Sequence, residues 1–208
     1  MSKRTDVPKV NAGSMADIAF LLLIFFLVTT VIETNAGLDR RLPRWNDNDT
    51  TIVMRYERNV LAIFLDSNGK LMANNNLVQL KELKTVALDF IDNGGSLSTS
   101  EEYCSYCKGE RSATSSDNPA KAVISLASNR ETSYGAYISV QNELVAAYNE
   151  LRNREAQRLF KMNFTDMETQ YGKAETSLIV KKELKERIVQ IQKRYPLNII
   201  DAPTITKN

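Results

Sequence analysis

Apolar residues are distributed unevenly along this chain: one continuous block lies near the N-terminus, and shorter amphipathic segments follow a polar gap. From Val10 to Ile32 the residues are uncharged except for Asp17, and Ile18–Val28 offers no polar side chain on any helical face. As a helix this block is roughly 35 Å long, against a bilayer core of about 30 Å. The pattern predicts a transmembrane helix over 11–33, preceded by a short tail over 1–10. Two other readings of the block were weighed. A cleaved signal peptide would use Lys3, Arg4 and Lys9 as its basic region and Thr34-Asn35-Ala36 as its cleavage site, but an Asp beside the apolar run is unusual there. A buried helix of a soluble protein would need a large core on all sides, which a chain of 208 residues hardly supplies so near its N-terminus.

Residues 34–51 read as a flexible linker, with Pro43 and the run Asn46-Asp47-Asn48-Asp49 unable to support a packed element. A compact α+β domain is expected over 52–208. Val60–Leu65 reads as a strand, Ser67-Asn68-Gly69 as its turn and Lys70–Asn74 as the return strand. Apolar residues at helical spacing predict a helix over Val78–Ile91, stopped by Asn93-Gly94-Gly95. The Ser/Thr/Gly-rich segment 94–119 is expected to be an exposed inserted loop. Ala122–Leu126 reads as a strand, Tyr134–Phe160 as a long helix and Asn163–Glu175 as a polar connection. Thr176–Tyr195 reads as a further helix ended by Pro196, and Leu197–Ile200 as a last strand.

Composition narrows the chemistry. A net charge of +2 with no basic stripe or aromatic platform gives no reason to expect nucleic acid. The chain has no Gly-rich phosphate loop, nucleophile motif or paired catalytic carboxylates, so no enzymatic activity and no cofactor are expected. Cys104-Ser-Tyr-Cys107 could be half a zinc site, but no second cysteine pair and no histidine exists to complete it. A thioredoxin-like site would follow a strand and open an apolar helix, which this pair does not. In an oxidising compartment Cys104 and Cys107 are the candidate for a structural disulfide. The charges flanking the apolar block tie at three each, Lys3, Arg4 and Lys9 before it and Arg40, Arg41 and Arg44 after it. Orientation therefore rests on the cysteines, which suit the long segment to the periplasm and the short tail to the cytoplasm.

An ionisable side chain inside a membrane helix costs about 2.5–3.5 kcal/mol on insertion scales, which makes Asp17 a functional-site candidate. With no histidine in the chain, a group exchanging protons near neutral pH would be a carboxyl with a raised pKa, and Asp17 is the one carboxyl in the block. The alternative is a carboxyl at the membrane edge, simply solvated. Gly13 and Ser14 share the Asp17 face, and Phe20, Leu21, Ile24 and Val28 continue that stripe. Small residues beside a carboxyl let another helix approach closely. Thr29 and Thr30 lie about 120° and 140° away in opposite senses, at about 100° per residue. They are candidate polar pore contacts facing another subunit, or they bond their own backbone carbonyls.

These residues resemble the ExbD/TolR family of single-pass subunits of proton-driven inner-membrane motors. The resemblance is carried by Asn11, by Asp17-Ile18-Ala19-Phe20-Leu21-Leu22-Leu23-Ile24-Phe25-Phe26-Leu27-Val28, and by Leu42-Pro43. It is specific over about 10–43 and topological beyond. It implies a cytoplasmic tail, one helix, a linker and a small periplasmic α+β domain. Asp17 would be the aspartate that takes up and releases protons, the transported ion. Leu38, Leu42 and Pro43 would form a linker motif that folds against the periplasmic domain. The implied partners are an ExbB-like pentameric membrane subunit, a second copy of the chain and a TonB-like energy transducer for outer-membrane transport. Gly13 and Ser14 stand where relatives often have Thr and Pro, Arg40 replaces an apolar linker position, and 94–119 and 156–175 are extra length. Competing expectations are a TolR-like envelope motor subunit, a flagellar MotB-like stator, and a membrane-anchored periplasmic adaptor with no proton role. MotB-like chains carry a peptidoglycan-binding domain whose signature is missing here. A redox protein built on the cysteine pair is a further alternative.

Overall fold

The computed structural model describes residues 12–29 and 57–202, which belong to two separate units divided between Ile52 and Val53. The described residues of the first form a helix, α1 (Ala12–Thr29). Among the described residues no helix is long and apolar enough to cross a membrane. The 18 residues of α1 rise about 27 Å at about 1.5 Å each, slightly short of a bilayer core. The remainder of the span expected over 11–33 lies outside the described residues, as do residues 30–56, including the expected linker.

The second unit is an α+β domain built on a mixed five-stranded sheet. After a 3-10 turn at Glu57–Asn59 come β1 (Val60–Leu65), β2 (Leu71–Ala73), β3 (Asn76–Val78), α2 (Leu80–Ile91) and β4 (Val123–Ser128). Then follow α3 (Tyr134–Phe160), α4 (Phe164–Gly172), α5 (Leu178–Arg194) and β5 (Ile199–Asp201). The strand order is β3-β2-β1-β4-β5, with β1, β2 and β3 antiparallel and β1, β4 and β5 parallel. Leu61, Ile63 and Leu65 alternate along β1 into the core, as the period of two requires. They meet Leu83, Ala87 and Ile91 of α2 and Val140, Leu144, Ala147, Tyr148 and Leu151 of α3 in one buried cluster.

Local chemistry sets the turns and helix ends. Asn74 and Asn75 both have positive φ, 46° and 66°, the geometry of a tight two-residue hairpin turn that Asn tolerates. That turn ends the return strand early and starts β3, which is absent from the periodicity reading. Ser133 and Ser177 each accept a hydrogen bond from the backbone N–H three residues on, opening α3 and α5.

One expectation is refined and another corrected. Segment 94–119 has no strand or helix and exposes residues 97–103, as expected of a loop, while its two ends are bolted onto the domain. Gly95 N–H donates to Ser116 O (2.8 Å), Gly109 N–H to Asp92 O (3.0 Å) and Arg111 N–H to Asn93 O (3.1 Å). The buried Asn93 amide donates to Ser112 O and Ser116 O, while Ser112 N–H donates to its oxygen. Asn, Ser and Gly here supply the bonds that a ladder would otherwise provide. A Cβ on Gly94 would lie 2.8 Å from Cys107 Cβ, and one on Gly109 would lie 2.6 Å from Asp92 O, so both close approaches need glycine. The polar connection expected at 163–175 contains α4. Phe164 and Met167, one turn apart, bury themselves against Ala156, Leu184, Ile188 and Ile191 in a second cluster. Two apolar residues are too few to show a period among polar ones.

Candidate functional site

In α1 the only charged residue is Asp17. Gly13 lies one turn before it, and Leu21 and Ile24 follow on the same side, at i+4 and i+7. Among the described residues Asp17 has no hydrogen-bond or ion-pair partner. From Ile18 to Phe26 every large apolar side chain is open to its surroundings, between 42% for Ile24 and 63% for Leu23. A helix apolar on all faces needs covering from outside itself. Ser14 and Thr29 are placed within α1 by their backbone. Thr30, Leu38, Leu42 and Pro43 lie outside the described residues.

The cysteine pair is a disulfide between Cys104 and Cys107, with Cα atoms 5.5 Å apart. Both residues are buried. Neither thiol is then available to a zinc ion, and among the described residues no cluster of His, Cys, Asp and Glu could hold a metal. The Arg111 guanidinium spans the disulfide loop, donating to Cys104 O (3.1 Å) and Cys107 O (3.3 Å) and lying over the Tyr103 ring.

A second polar centre escaped the sequence reading. Asp92, the C-cap of α2, is buried and takes a bidentate hydrogen-bonded pair from Arg154 of α3, at 2.7 and 2.6 Å. Tyr195 Oη donates to the same carboxylate (3.0 Å) and accepts from Arg154 (2.9 Å), and Lys108 N–H adds a fourth bond (3.1 Å). One carboxylate thus ties together α2, α3, the disulfide loop and the end of α5. Burial, with the Asp92 charge behind it, pushes the Tyr195 phenol far above its ordinary value. The bond to Asp92 raises the Arg154 guanidinium despite partial burial. Next to this hub, Glu155 is gripped by Arg158 (2.7 Å) and by Arg194. Burial alone would raise the Glu155 carboxyl, but the two guanidiniums outweigh it and its pKa falls below the ordinary value. The Tyr148 phenol is pushed up to about 12 by burial. Four hydrogen bonds on one buried carboxylate and two guanidiniums on the next suit a rigid joint. Asp92 falls between the predicted helix end at Ile91 and the stop Asn93-Gly94-Gly95, and neither it nor the adjacent Arg154 and Glu155 carries a recognisable spacing.

The chain thus pairs an apolar N-terminal helix holding a lone carboxyl with a small α+β domain. The family model described as biopolymer transport protein ExbD/TolR matches residues 3–154. The chain belongs to the ExbD/TolR family. Membership makes it a subunit of a biopolymer transport motor that works within a transport complex, and members of the family are typically anchored in a membrane. No curated protein matches the chain.

Proposed function

We propose that this chain is an ExbD-like subunit of a motor driven by the proton-motive force, with Asp17 as its proton-carrying group. The observation that carries the reading is Asp17 itself, the one ionisable residue of an 18-residue helix with apolar residues on every face. In this reading the span runs over 11–33, the N-terminus is cytoplasmic and the α+β domain is periplasmic, in the cell inner membrane. An ExbB-like pentameric ring and a second copy of the chain supply the outside cover that α1 needs. A TonB-like protein receives the motion and opens outer-membrane transporters. No catalytic chemistry and no cofactor enter; protons are the transported ion.

The physical logic is a change of preferred surroundings. A neutral Asp17 tolerates apolar contacts, whereas a charged one requires water or a polar partner, so each protonation alters which surface of the ring the helix favours. A proton crossing 100 mV releases about 2.3 kcal/mol, so a few protons per step suffice for mechanical work. Gly13 keeps the approach to Asp17 open for a neighbouring helix.

The test is Asp17→Asn in cells lacking the native copy, with protein level and complex assembly matched. Loss of energised outer-membrane uptake with the complex intact is the expected result. Retained uptake would overturn the proton role and leave a membrane-anchored adaptor. Envelope defects without any uptake defect would assign the chain to a TolR-like role.

A further inference from the structure

The family match ends at residue 154, within α3, so α4, α5 and β5 lie beyond the part of the chain that the family accounts for. In that region α5 buries Leu184, Ile188 and Ile191 against α4 and α3. The opposite face is unusual. Leu178, Lys182, Lys185 and Val189 follow one another at i, i+4, i+7 and i+11, which places them in a single line along the helix. All four are exposed, Leu178 at 86%, and the neighbouring Ile179 is 83% exposed. Lys193 extends the line by another turn. Among the described residues no carboxylate pairs with Lys182, Lys185 or Lys193. The only acidic side chain on this face is Glu186, because Glu183 is turned aside and held by Arg187.

We propose that this face of α5 docks onto the surface of an anionic phospholipid bilayer. The arrangement combines the two contributions such docking uses: aliphatic side chains that enter the headgroup boundary, and lysines that meet lipid phosphates. Leu178 and Ile179 sit at the first turn of the helix, about 100° apart, and both are exposed. A projecting aliphatic pair followed by lysines suits a fluid apolar layer beneath a charged one, with each lysine stem lying along apolar surface while its ammonium stays at the phosphates. The charge is local: over Leu178–Arg194 six basic residues stand against two acidic ones. This inference stands apart from the proton-motor reading.

The test uses the full chain. With both native cysteines tied to each other, an introduced cysteine is the only free thiol. A fluorophore on Ala174→Cys, just before α5, is read against brominated lipid in phosphatidylcholine nanodiscs and in discs containing phosphatidylglycerol. A label on Leu22→Cys reports α1 separately. The expected result is quenching at 174 that requires phosphatidylglycerol and is reversed by high salt. Lys182→Gln with Lys185→Gln should weaken the contact about 25-fold, at roughly fivefold per lysine. Leu178→Ser with Ile179→Ser should also weaken it, without removing its dependence on lipid charge. Quenching at 22 but not at 174 overturns the docking and leaves the anchoring intact, and an acidic protein segment becomes the occupant to seek. Equal quenching in both disc types, unchanged by the lysine substitutions, overturns it as well. Quenching at 174 without any at 22 upholds the docking and refutes the anchoring.

Discussion

Helices α1 and α3 handle charge in opposite ways. In α3 and its neighbours the carboxylates are buried, and each meets opposite charges or hydrogen bonds: Asp92 with Arg154 and Tyr195, Glu155 with Arg158 and Arg194. In α1 a lone carboxyl stands among apolar side chains with no partner among the described residues. Removing one member of a satisfied network leaves an uncompensated charge, so charge in the domain is structural. A carboxyl with no partner in its own fold can change state without disturbing that fold, so charge in α1 is free to be functional.

The contrast can be broken at several points. Arg154→Ala strands the buried Asp92 carboxylate and should lower the stability of the domain by about 3 kcal/mol, the low end for a broken buried pair because Arg154 is partly exposed. Denaturant unfolding followed by near-ultraviolet circular dichroism checks it, and a loss under about 1 kcal/mol would mean that the hub is replaceable. Next in size, Cys104→Ser with Cys107→Ser opens a four-residue loop and should lower stability by about 2 kcal/mol on chain-entropy grounds. The same unfolding experiment on the native chain with reductant should match the double variant.

Acid should reveal Glu155. Its pKa is lowered in the folded domain, so its stabilising effect is complete above the ordinary value of 4.5 and is lost as pH falls through the folded value. Glu155→Gln should therefore flatten the acid limb of a stability–pH curve below 4.5, and an unchanged limb would mean the two guanidiniums do not stabilise its charge. The smallest effect belongs to Asp17→Asn, which should move domain stability by no more than about 0.5 kcal/mol while abolishing motor output. A larger shift would show that Asp17 takes part in the folding of the domain after all.

Much of the domain was legible because its elements are long or strongly patterned. The alternation at Leu61, Ile63 and Leu65 and the helical spacing of Leu144, Tyr148 and Leu151 each point to one element, and the structure has those elements. Short elements escaped for a physical reason: β3 depends on the positive φ of Asn74 and Asn75, and α4 on two apolar side chains. The bonded ends of segment 94–119 were not legible, because Ser, Asn and Gly read alike whether they face water or bond a buried backbone. At the candidate site, Asp17 was conspicuous because an isolated charge in an apolar run is a strictly local signal. Asp92, Arg154 and Tyr195 come together only through tertiary structure, the first two partners standing 62 positions apart, so no spacing rule could find them.

The order of the sheet also governs how the molecule is made. β1 waits for β4, Val60 against Val123, and β4 waits for β5, Ile124 against Ile199. The parallel half of the sheet thus closes only after Ile199–Asp201 has left the ribosome. Until then the sticky edges of β1 and β4 stay open, and newly made copies are most prone to cross-pairing during that interval. For a subunit that works in a transport complex, β5 acts as the timer that separates a vulnerable nascent chain from an assembly-ready one.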